Sequence, residues 1–437
     1  MKFKYNFFGL IFLVTFSNNL QAQQKLSPQQ AIAIALENNY AIKLSNNNYV
    51  VSSNNVSLGN AGFLPNVVAN LNDVNRIETN KVDLASGQTR EAINAPTTNV
   101  NYGVGLTWRI FDGLQMFATY KGLVELQKLG DVNARLTVQN TIADVLVSYY
   151  EVVTQEKQYQ ALITALEVSA LRRKNANSRY TIGKGSKLEL LAAKVDFNTD
   201  TTQILRQQDI ILTAKIRLND LMARDPRTDF TVDEIINIDG SLELESLTSL
   251  AEIQNPSLQA ALINQRIAKF NLQQIKGTRY PVLGLTSGYD FQNSTAPPTS
   301  FALRANSRGF NYGLTASLNI FNGFQQNRIE KNAKLALDNA AIELLQAKQI
   351  VNSSLLNAYQ SYQTNLKLIG LEEKNVAVAQ ENLNITLEKY RLGSIIPLEL
   401  REAQRNFLDA SVRYTGALYQ AKLSEVGIKE IIGKISL

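Results

Sequence analysis

One stretch is written twice in this chain, at 101–113 and again at 311–323, and it constrains the fold more than any other part. In both copies apolar side chains occupy alternate positions, with glycine and polar residues between them. The apolar members are Tyr102, Val104, Leu106, Trp108 and Ile110 in the first copy, and Tyr312, Leu314, Ala316, Leu318 and Ile320 in the second. This alternation predicts a β-strand that separates an apolar from a polar environment, and helical spacing follows each copy.

The N-terminus has the pattern of a secretory signal peptide over residues 1–22. Two lysines among the first four residues precede an apolar run at 7–16, and Ala22 is a small residue at the cleavage position. The run is too short to span a bilayer. Residues 23–437 contain no apolar run of about 20 residues, so we expect any insertion into a membrane to use strands.

The composition argues against an enzyme. The chain has no His and no Cys, which removes the commonest general base, thiolate metal ligands and disulfides. Its 44 basic and 38 acidic residues are interleaved, which is typical of a solvated helix surface and not of a nucleic-acid groove. Glycines at 103–105 and 183–185 match neither a dinucleotide nor a Walker loop. The sequence therefore predicts no catalytic residue, no cofactor, no metal site and no nucleic-acid partner.

The first half begins with a helix predicted over 28–59, for which Ser27 and Gln30 form a capping box. A strand is predicted from about Pro65. Residues 75–99 are polar and are predicted to form a loop before the repeated strand begins. A long helix is then predicted from 114 to 180, which at ~1.5 Å per residue is on the order of 100 Å.

Coiled-coil spacing of apolar residues, in threes and fours, runs along this helix. A turn around Gly183 and a second helix over 187–222 predict an antiparallel hairpin. The same order of elements then recurs: helix 247–276, a strand from Pro281, a loop, the second repeated strand, and helices over 324–390 and 397–432.

The two halves align at fixed offsets, which indicates an internal duplication. Asn39 and Pro65 correspond to residues 216 positions later, whereas Tyr102 and every later match correspond to residues 210 positions later. The difference falls within the loops between strands, where insertions are tolerated. The predicted organisation is a signal peptide at 1–22, a first repeat at 23–222, a linker at 223–247 and a second repeat at 248–437.

Each half supplies two strands of about ten residues, the length that crosses a hydrocarbon core. Four strands do not close a barrel, and lipid does not accept open sheet edges. If the strands span a membrane, several copies must share one barrel, with eight strands from two copies or twelve from three. The alternative is a soluble protein whose four strands lie on a helical core.

The strand-to-helix junctions at 110–113 and 320–323, and the helical turns at 179–190 and 389–400, resemble those of the TolC-like outer-membrane efflux channel family. The resemblance covers essentially the whole mature chain. It implies an α+β membrane protein with long antiparallel α-helical coiled-coil hairpins and four strands per chain in a shared trimeric, 12-stranded β-barrel. It also implies a location in the bacterial outer membrane with a large periplasmic extension.

The resemblance further implies a function and partners. The homotrimer would be the exit duct of a tripartite efflux pump or type I secretion system, passing small molecules or polypeptides through the barrel and a periplasmic helical tunnel. The implied partners are outer-membrane lipid, a periplasmic adaptor (membrane fusion) protein and an inner-membrane pump. The alternative that the residues leave open is a periplasmic coiled-coil spacer without a pore.

Candidate functional residues lie at the ends of the helices. Asp112, Gly113, Asn322 and Gly323 are predicted to cap the strand-to-helix junctions. The glycines of the hairpin turns suit helix ends, and the resemblance implies that the turns contact the adaptor. The candidate contact residues are Arg179, Gly183, Ser186, Lys389 and Gly393.

Glu399 and Glu402 lie three residues apart near the start of the last helix and so share a face. The resemblance implies that they line the pore constriction, where a ring of carboxylates would favour cations. The alternative is that Glu399 favours the helix N-terminus and Glu402 pairs with Arg405. Ala192 stands in the first repeat where Glu402 stands in the second.

Overall fold

A computed structural model describes residues 25–435, so the predicted signal peptide at 1–22 lies outside the described residues. The chain forms two compact units. The first contains the described residues up to Asn38 with Asp144–Ile238 and Asn365–Leu423. The second contains Asn39–Ala143, Asp239–Thr364 and the described residues from Ser424 onward.

The described residues form six strands and eight helices. In order they are β1 (Lys25–Leu26), α1 (Pro28–Asn38), α2 (Tyr40–Asn54), β2 (Asn66–Asp83), β3 (Thr89–Phe111), α3 (Gln115–Thr181), α4 (Lys187–Leu221), β4 (Thr231–Val232), α5 (Leu244–Gln254), α6 (Pro256–Gly277), β5 (Val282–Thr295), β6 (Arg304–Ser317), α7 (Gln325–Arg391) and α8 (Pro397–Ile431).

The long helices confirm the sequence prediction to within a residue or two at each end. α3 and α7 each have 67 residues, and α4 and α8 each have 35. Every bound in the second pair lies 210 residues after its counterpart in the first. Hydrogen bonds join α3 to α4 between Gln155 and Gln207 and between Arg179 and Glu189, so the two helices are antiparallel.

Two helices predicted as continuous, over 28–59 and 247–276, are each interrupted by an asparagine. Asn39 separates α1 from α2, and Asn255 separates α5 from α6. Their ψ angles are 128° and 120°, and their side-chain oxygens accept hydrogen bonds from amides in the first turn of the next helix. An asparagine in this conformation caps a new helix and does not continue the old one. The expectation of unbroken helices was therefore wrong, and α2 ends at Asn54.

The loop predicted over 75–99 was also wrong, because most of it is strand. β2 and β3 pair up to a tight turn at 84–88, and polar side chains on both faces hide their alternation in the sequence. Pro96 lies where β3 has a neighbour on one side only, a position that tolerates proline. A β-bulge in β3 places Ile93 and Asn94 opposite Thr79 of β2, and Asn94 there has a φ of 51°.

The four long strands form one antiparallel sheet in the order β2, β3, β5 and β6. Thr107 of β3, for example, lies between Asn66 of β2 and Thr286 of β5. The outer strands β2 and β6 each pair with one neighbour within the chain. The sheet therefore has a free edge on each side.

The first copy of the repeated stretch lies in β3, as predicted, but the second copy is strand only as far as Ser317. β5 begins at Val282, which is the partner of Ser317, so residues 318–321 have no strand beside them. The prediction of a strand through Ile320 was therefore wrong for the single chain, because the backbone there lacks a hydrogen-bonding partner strand.

The segment predicted to be a linker, 223–247, pairs with the strand at the start of the described residues. β4 within it pairs in parallel with β1. The hydroxyl of Tyr149, a fully buried residue of α3, donates to the carbonyl of Leu26 and accepts from the amide of Asp233, both at 2.9 Å. Lys25 also pairs with Asp233 at 2.7 Å. One tyrosine thus joins the helix, the N-terminal strand and the linker.

Replacing Tyr149 with phenylalanine leaves the carbonyl of Leu26 and the amide of Asp233 without their partner. We expect a local loss of about 1–3 kcal/mol, so the Asp233 amide should exchange its hydrogen about 10- to 100-fold faster, as measured by mass spectrometry. Tyr40→Phe, at an exposed ring of α2, is the control and should leave this rate unchanged. Equal rates in the two variants would contradict the role given to Tyr149.

Stability should also depend on alkaline pH through this residue. Burial raises the pKa of Tyr149 from 10.0 to about 12, because the phenolate is poorly solvated there. The stabilisation is therefore fully present below pH 10 and is lost as pH rises towards 12. In denaturant titrations the free energy of unfolding of the wild-type protein should exceed that of Tyr149→Phe below pH 10, and this difference should shrink between pH 10 and 12. A difference that stays constant over this interval would contradict the raised pKa of Tyr149.

Candidate functional site

The four-stranded sheet has one apolar face. In register across the strands, this face carries rows of side chains that are all aliphatic or aromatic except Ser287. The rows are Trp108, Leu285 and Leu314; Val67, Leu106, Ser287 and Tyr312; Ala69, Val104, Tyr289 and Phe310; and Leu71, Tyr102 and Phe291. The rings of Tyr102 and Phe291 stack with centroids 4.8 Å apart. Leu71, Tyr312 and Leu314 are each at least 75% exposed, so the chain itself leaves this face open.

The opposite face of the sheet is polar and has small residues. Its members include Asn66, Asn70, Asn72, Gly103, Gly105, Thr107, Thr286, Gly288, Asp290, Asn311 and Gly313. A Cβ added at Gly103 would lie 2.5 Å from Oδ1 of Asp290, so glycine allows this carboxylate to lie across β3. Asn311 donates to the other oxygen of Asp290.

An apolar face is stable against lipid or a protein core, and a polar face is stable against water. The two faces of this sheet therefore require two different surroundings. Along β3 the apolar face runs from Tyr102 to Ile110, which is about 27 Å at ~3.4 Å per residue. That is close to the length of a tilted transmembrane strand. The sheet can therefore form a wall between an apolar phase and water.

The junction from sheet to helix is built in the same way in both halves. The buried carboxylate of Asp112 accepts from the amide of Met116 at 3.0 and 3.2 Å. Between Asp112 and α3, Gly113 and Leu114 both have positive φ angles, of 71° and 69°. A Cβ at Gly113 would lie 2.1 Å from the carbonyl of Gly277, so no other residue fits there.

In the second half Asn322 accepts from the amide of Gln326 at 3.3 Å, and Gly323 and Phe324 again have positive φ angles, of 63° and 60°. Both capping side chains thus lie one residue before a pair of left-handed residues. They reach the amide of the second helical residue from there. The repeated sequence therefore encodes a sharp change of direction where strand becomes helix.

Both helical hairpins turn through a Schellman motif. Gly183 has a φ of 74° and donates to the carbonyl of Tyr180, and the next amide donates to the carbonyl of Arg179. Gly393, with a φ of 73°, repeats this arrangement with the carbonyls of Tyr390 and Lys389. At both glycines a Cβ would meet open space, so the positive φ alone explains the residue type.

The candidate contact residues of the first turn are also linked to one another. Oγ of Ser186 accepts from the amide of Glu189 at 3.1 Å, and the carboxylate of Glu189 lies 3.3 Å from the guanidinium of Arg179. The turn therefore presents ordered polar groups to solvent. In the second turn Ser394 donates to the carbonyl of Lys389 through both its amide and its hydroxyl.

Glu399 and Glu402 lie on the exposed side of α8, in its first two turns. Leu400 and Ala403, on the opposite side, are buried in the core between the hairpins. The carboxylate of Glu402 lies 3.9 Å from Arg405, with both side chains well exposed. Both carboxylates are therefore exposed to solvent in the single chain.

A buried ionic network near the turns was missed by the sequence reasoning. Arg401 of α8 donates to both oxygens of Asp200 of α4 at 2.8 and 3.0 Å. Gln404 donates to Asp200 at 3.0 Å and to the carbonyl of Ala165 of α3 at 2.6 Å. Asp200 also accepts from Ser169 of α3. This network ties three helices together around a carboxylate that is only 2% exposed.

A second ion pair in the network joins Asp196 of α4 to Arg172 of α3, and Arg401 lies 3.9 Å from the same carboxylate. Two arginines therefore balance two aspartates. Helical periodicity assigns such residues to the surface, and the first repeat has Leu191 and Lys194 where the second has Arg401 and Gln404. Neither the helical periodicity nor the comparison of the two repeats could have revealed the network.

Tyr390 lies beside the network in the same hydrophobic core. Its hydroxyl is buried, and burial raises the pKa of Tyr390 because the phenolate would be desolvated. Within residues 25–435 no group of three or more carboxylate, imidazole or thiol side chains is placed to hold a metal ion. No helix in the described part of the chain is both long and apolar enough to cross a membrane.

Comparison with known proteins gives a consistent result. A family described as outer membrane efflux protein matches residues 31–224 and 247–434. The outer membrane efflux protein BepC of Brucella suis is 19% identical over 419 residues, covering 93% of this chain and 85% of that protein. The outer membrane protein TolC of Vibrio cholerae is 20% identical over 303 residues, which is 69% of each chain.

Solved structures share the fold at low sequence identity. The outer membrane channel CmeC of Campylobacter jejuni has a TM-score of 0.77 at 17% identity, covering 93% of this chain and 85% of that chain. The outer-membrane channel OprN has a TM-score of 0.75 at 16% identity, covering 93% and 89%.

The ionic network yields a prediction for Arg401→Met. The change leaves Asp200 buried and without its cation, which should destabilise the packing of α8 on α4 by about 3–5 kcal/mol. Hydrogen exchange of the α4 amides near Asp200 measures this loss. The double variant Arg401→Met with Asp200→Asn should recover much of it, because no charge is then left unpaired.

Arg405→Met is the matched control, since it removes an arginine from the exposed pair with Glu402. Such pairs contribute at most about 1 kcal/mol. If Arg401→Met were as mild as Arg405→Met, the buried network would not hold the helices together.

Proposed function

This chain belongs to the outer membrane efflux protein family, and from that premise we propose that three copies form the exit duct of a tripartite efflux pump or of a type I secretion system. The family places the chain in the bacterial outer membrane, with its helices in the periplasm. In the proposed assembly, small molecules or polypeptides pass without chemical change through a twelve-stranded barrel and a helical tunnel.

The observation that carries this proposal is the sheet with one apolar face, one polar face and two free edges. Lipid can cover the apolar face, and water in a lumen can cover the polar face. Free edges are unacceptable in hydrocarbon, so the sheet must close on other copies. Twelve strands leave a lumen, whereas eight strands are filled by their own side chains.

The proposed duct also has an internal duplication, with repeats at 23–222 and 248–437 joined by the linker at 223–247. The constant offset of 210 residues between the paired helices supports this. Two hairpins per chain give three copies six hairpins, which can continue the wall of the barrel below the membrane. The junctions at Asp112 and Asn322 would mark the passage from membrane wall to tunnel.

We further propose that the two hairpin turns contact a periplasmic adaptor (membrane fusion) protein that connects the duct to an inner-membrane pump. The ordered turns and their exposed polar groups support this role. The proposed contact residues are Arg179, Gly183, Ser186, Lys389 and Gly393.

Reconstitution into planar lipid bilayers tests the proposed function. A duct should give stepwise ion conductance and should migrate as a heat-modifiable trimer in detergent gels. A periplasmic coiled-coil spacer, the alternative function, would insert no pore and conduct no current. Absence of conductance from correctly folded trimer would therefore overturn the proposal.

Glu399 and Glu402 are proposed to line the constriction of this duct. Three copies would place six carboxylates around one opening, which favours cations. The double variant Glu399→Gln with Glu402→Gln should lower the cation-to-anion permeability ratio by at least about twofold, measured from reversal potentials in a salt gradient. The double variant Glu343→Gln with Glu381→Gln removes the same amount of charge from α7, away from Glu399 and Glu402 of α8, and serves as the control. An unchanged ratio in the first variant would dispose of the carboxylate ring.

A further inference from the structure

Residues 318–321 continue the strand pattern of the repeated stretch but have no partner strand among the described residues 25–435. Ile320 is 92% exposed and Phe321 is 72% exposed. The counterparts of residues 318–321 in the first half are residues 108–111, which belong to β3, and Trp108, Arg109 and Phe111 among them pair with β5. The segment is therefore a strand sequence that lacks its neighbour.

The two halves pair their strands in equivalent registers. β6 corresponds to β3 at an offset of 210 residues, and β5 corresponds to β2 at an offset of 216. Applied to the pair Asn66 and Thr107 of the first hairpin, these offsets give Val282 and Ser317, which are partners in the second hairpin. The pairs remain equivalent along the second hairpin. The two sequence offsets therefore convert pairs of strand partners in the first hairpin into pairs of strand partners in the second.

The same operation predicts the missing neighbour of β6. β3 pairs with β5 through Thr107 and Thr286. Adding 210 to the β3 residue gives Ser317 of β6, and subtracting 216 from the β5 residue gives Asn70 of β2. Within one chain β6 and β2 are opposite edges of the sheet, so this partner must come from a second copy.

We propose that β6 pairs antiparallel with β2 of a second copy, with Ser317 opposite Asn70, and that this pairing converts residues 318–321 into strand. The inference rests on the shared barrel of the proposed function and specifies the seam that closes it. Each copy then completes its neighbour, because the strand end of one copy is formed only against the strand start of the next.

Strand lengths support this register. β2 has 18 residues, Asn66–Asp83. In the proposed register Arg304, the first residue of β6, lies opposite Asp83, the last residue of β2. β3 has a bulge between Arg109 and Phe111 in its pairing with β5, and the same offsets place Phe321 opposite Val67, the second residue of β2. β6 together with 318–321 therefore spans β2 to within one residue.

Side-chain chemistry supports the same register independently. On the apolar face Ala316 lies opposite Leu71 and Leu318 lies opposite Ala69, and beyond the bulge Phe321 lies opposite Val67. A slip by one residue would place each of these apolar side chains on the polar face of the second copy. Such a slip is excluded by the burial of one face.

Registers displaced by two residues keep the apolar faces together, and the charged side chains distinguish between them. In the proposed register Arg304 lies opposite Asp83, an attractive pair. A slip by two residues in one direction places Arg304 opposite Lys81, and a slip by two in the other places Arg308 opposite Lys81. Like charges directly opposite each other are destabilising.

Cysteine cross-linking tests the register, and the absence of native Cys makes the chain suited to it. Thr315→Cys with Asn72→Cys places thiols at proposed partners on the polar face. Thr315→Cys with Asn70→Cys, or with Val74→Cys, places them on the same face two residues out of register. Asn101→Cys with Gln292→Cys, which are partners within one chain, checks that oxidation is efficient.

The first pair should form disulfide-linked dimers and trimers at least about tenfold more than either displaced pair, because opposed Cβ atoms lie about 5 Å apart and diagonal ones about 7–8 Å. The full-length protein is oxidised in outer membranes and its size is read on non-reducing gels. Native mass measurement of each unoxidised variant shows whether it assembles.

The outcomes separate the register from the assembly. Trimers that cross-link through a displaced pair, or that fail to cross-link while the intrachain control succeeds, overturn the register and leave the shared barrel standing. Protein that is monomeric in every variant overturns both. As a second measure, the amide of Leu318 should exchange as slowly as that of Leu314 in the assembled protein. Exchange at the rate of an unstructured peptide would overturn the proposed strand.

Discussion

The need to satisfy backbone hydrogen bonds at the edges of the sheet governs the rest of this structure. Water can hydrogen-bond a free strand edge, but hydrocarbon cannot, and each unsatisfied group there costs several kcal/mol. A sheet with an exposed apolar face and two free edges is therefore stable in lipid only when further strands pair with both edges. The unpaired residues at 318–321, the length of β2 and the family assignment all point to completion by other copies of the chain.

The helical part solves a different problem, which is how to fix long helices without a large apolar core. Near the turns, a small hydrophobic cluster around Leu400 is combined with a balanced ionic network around Asp200. A buried charge is stable only while it is paired. The network therefore specifies how α3, α4 and α8 pack, whereas the apolar contacts alone would permit sliding along the coiled-coil stripe.

Periodicity and turn residues were sufficient to predict the long helices, the hairpin turns and the repeated strands. The errors occurred where a single side chain or a missing partner decides the conformation. Asn39 stops a helix by capping the next one, and the polar ribbon within 75–99 has no apolar face to reveal it. Residues 318–321 have strand sequence without a strand neighbour, and Asp200 is buried by partners that are distant in the sequence. The Asn39 cap is local, since it accepts from amides two and three residues later. The conformation of 318–321 and the burial of Asp200 depend on partners that are missing or distant in the sequence, so local pattern does not reveal them.

The equal lengths of the paired helices have a consequence for how such a chain can change over time. Each residue added to an α-helix moves its end by about 1.5 Å and rotates it by about 100°. A single insertion in α3 alone would thus turn the Gly183 tip away from its neighbours and shift its depth relative to the Gly393 tip. Helix length can therefore drift only in concert, whereas the loops between strands are free to vary. The six-residue mismatch between the halves lies at the turn end of the strand hairpins, where β2 and β3 extend further than β5 and β6, and the offset between the helices is constant.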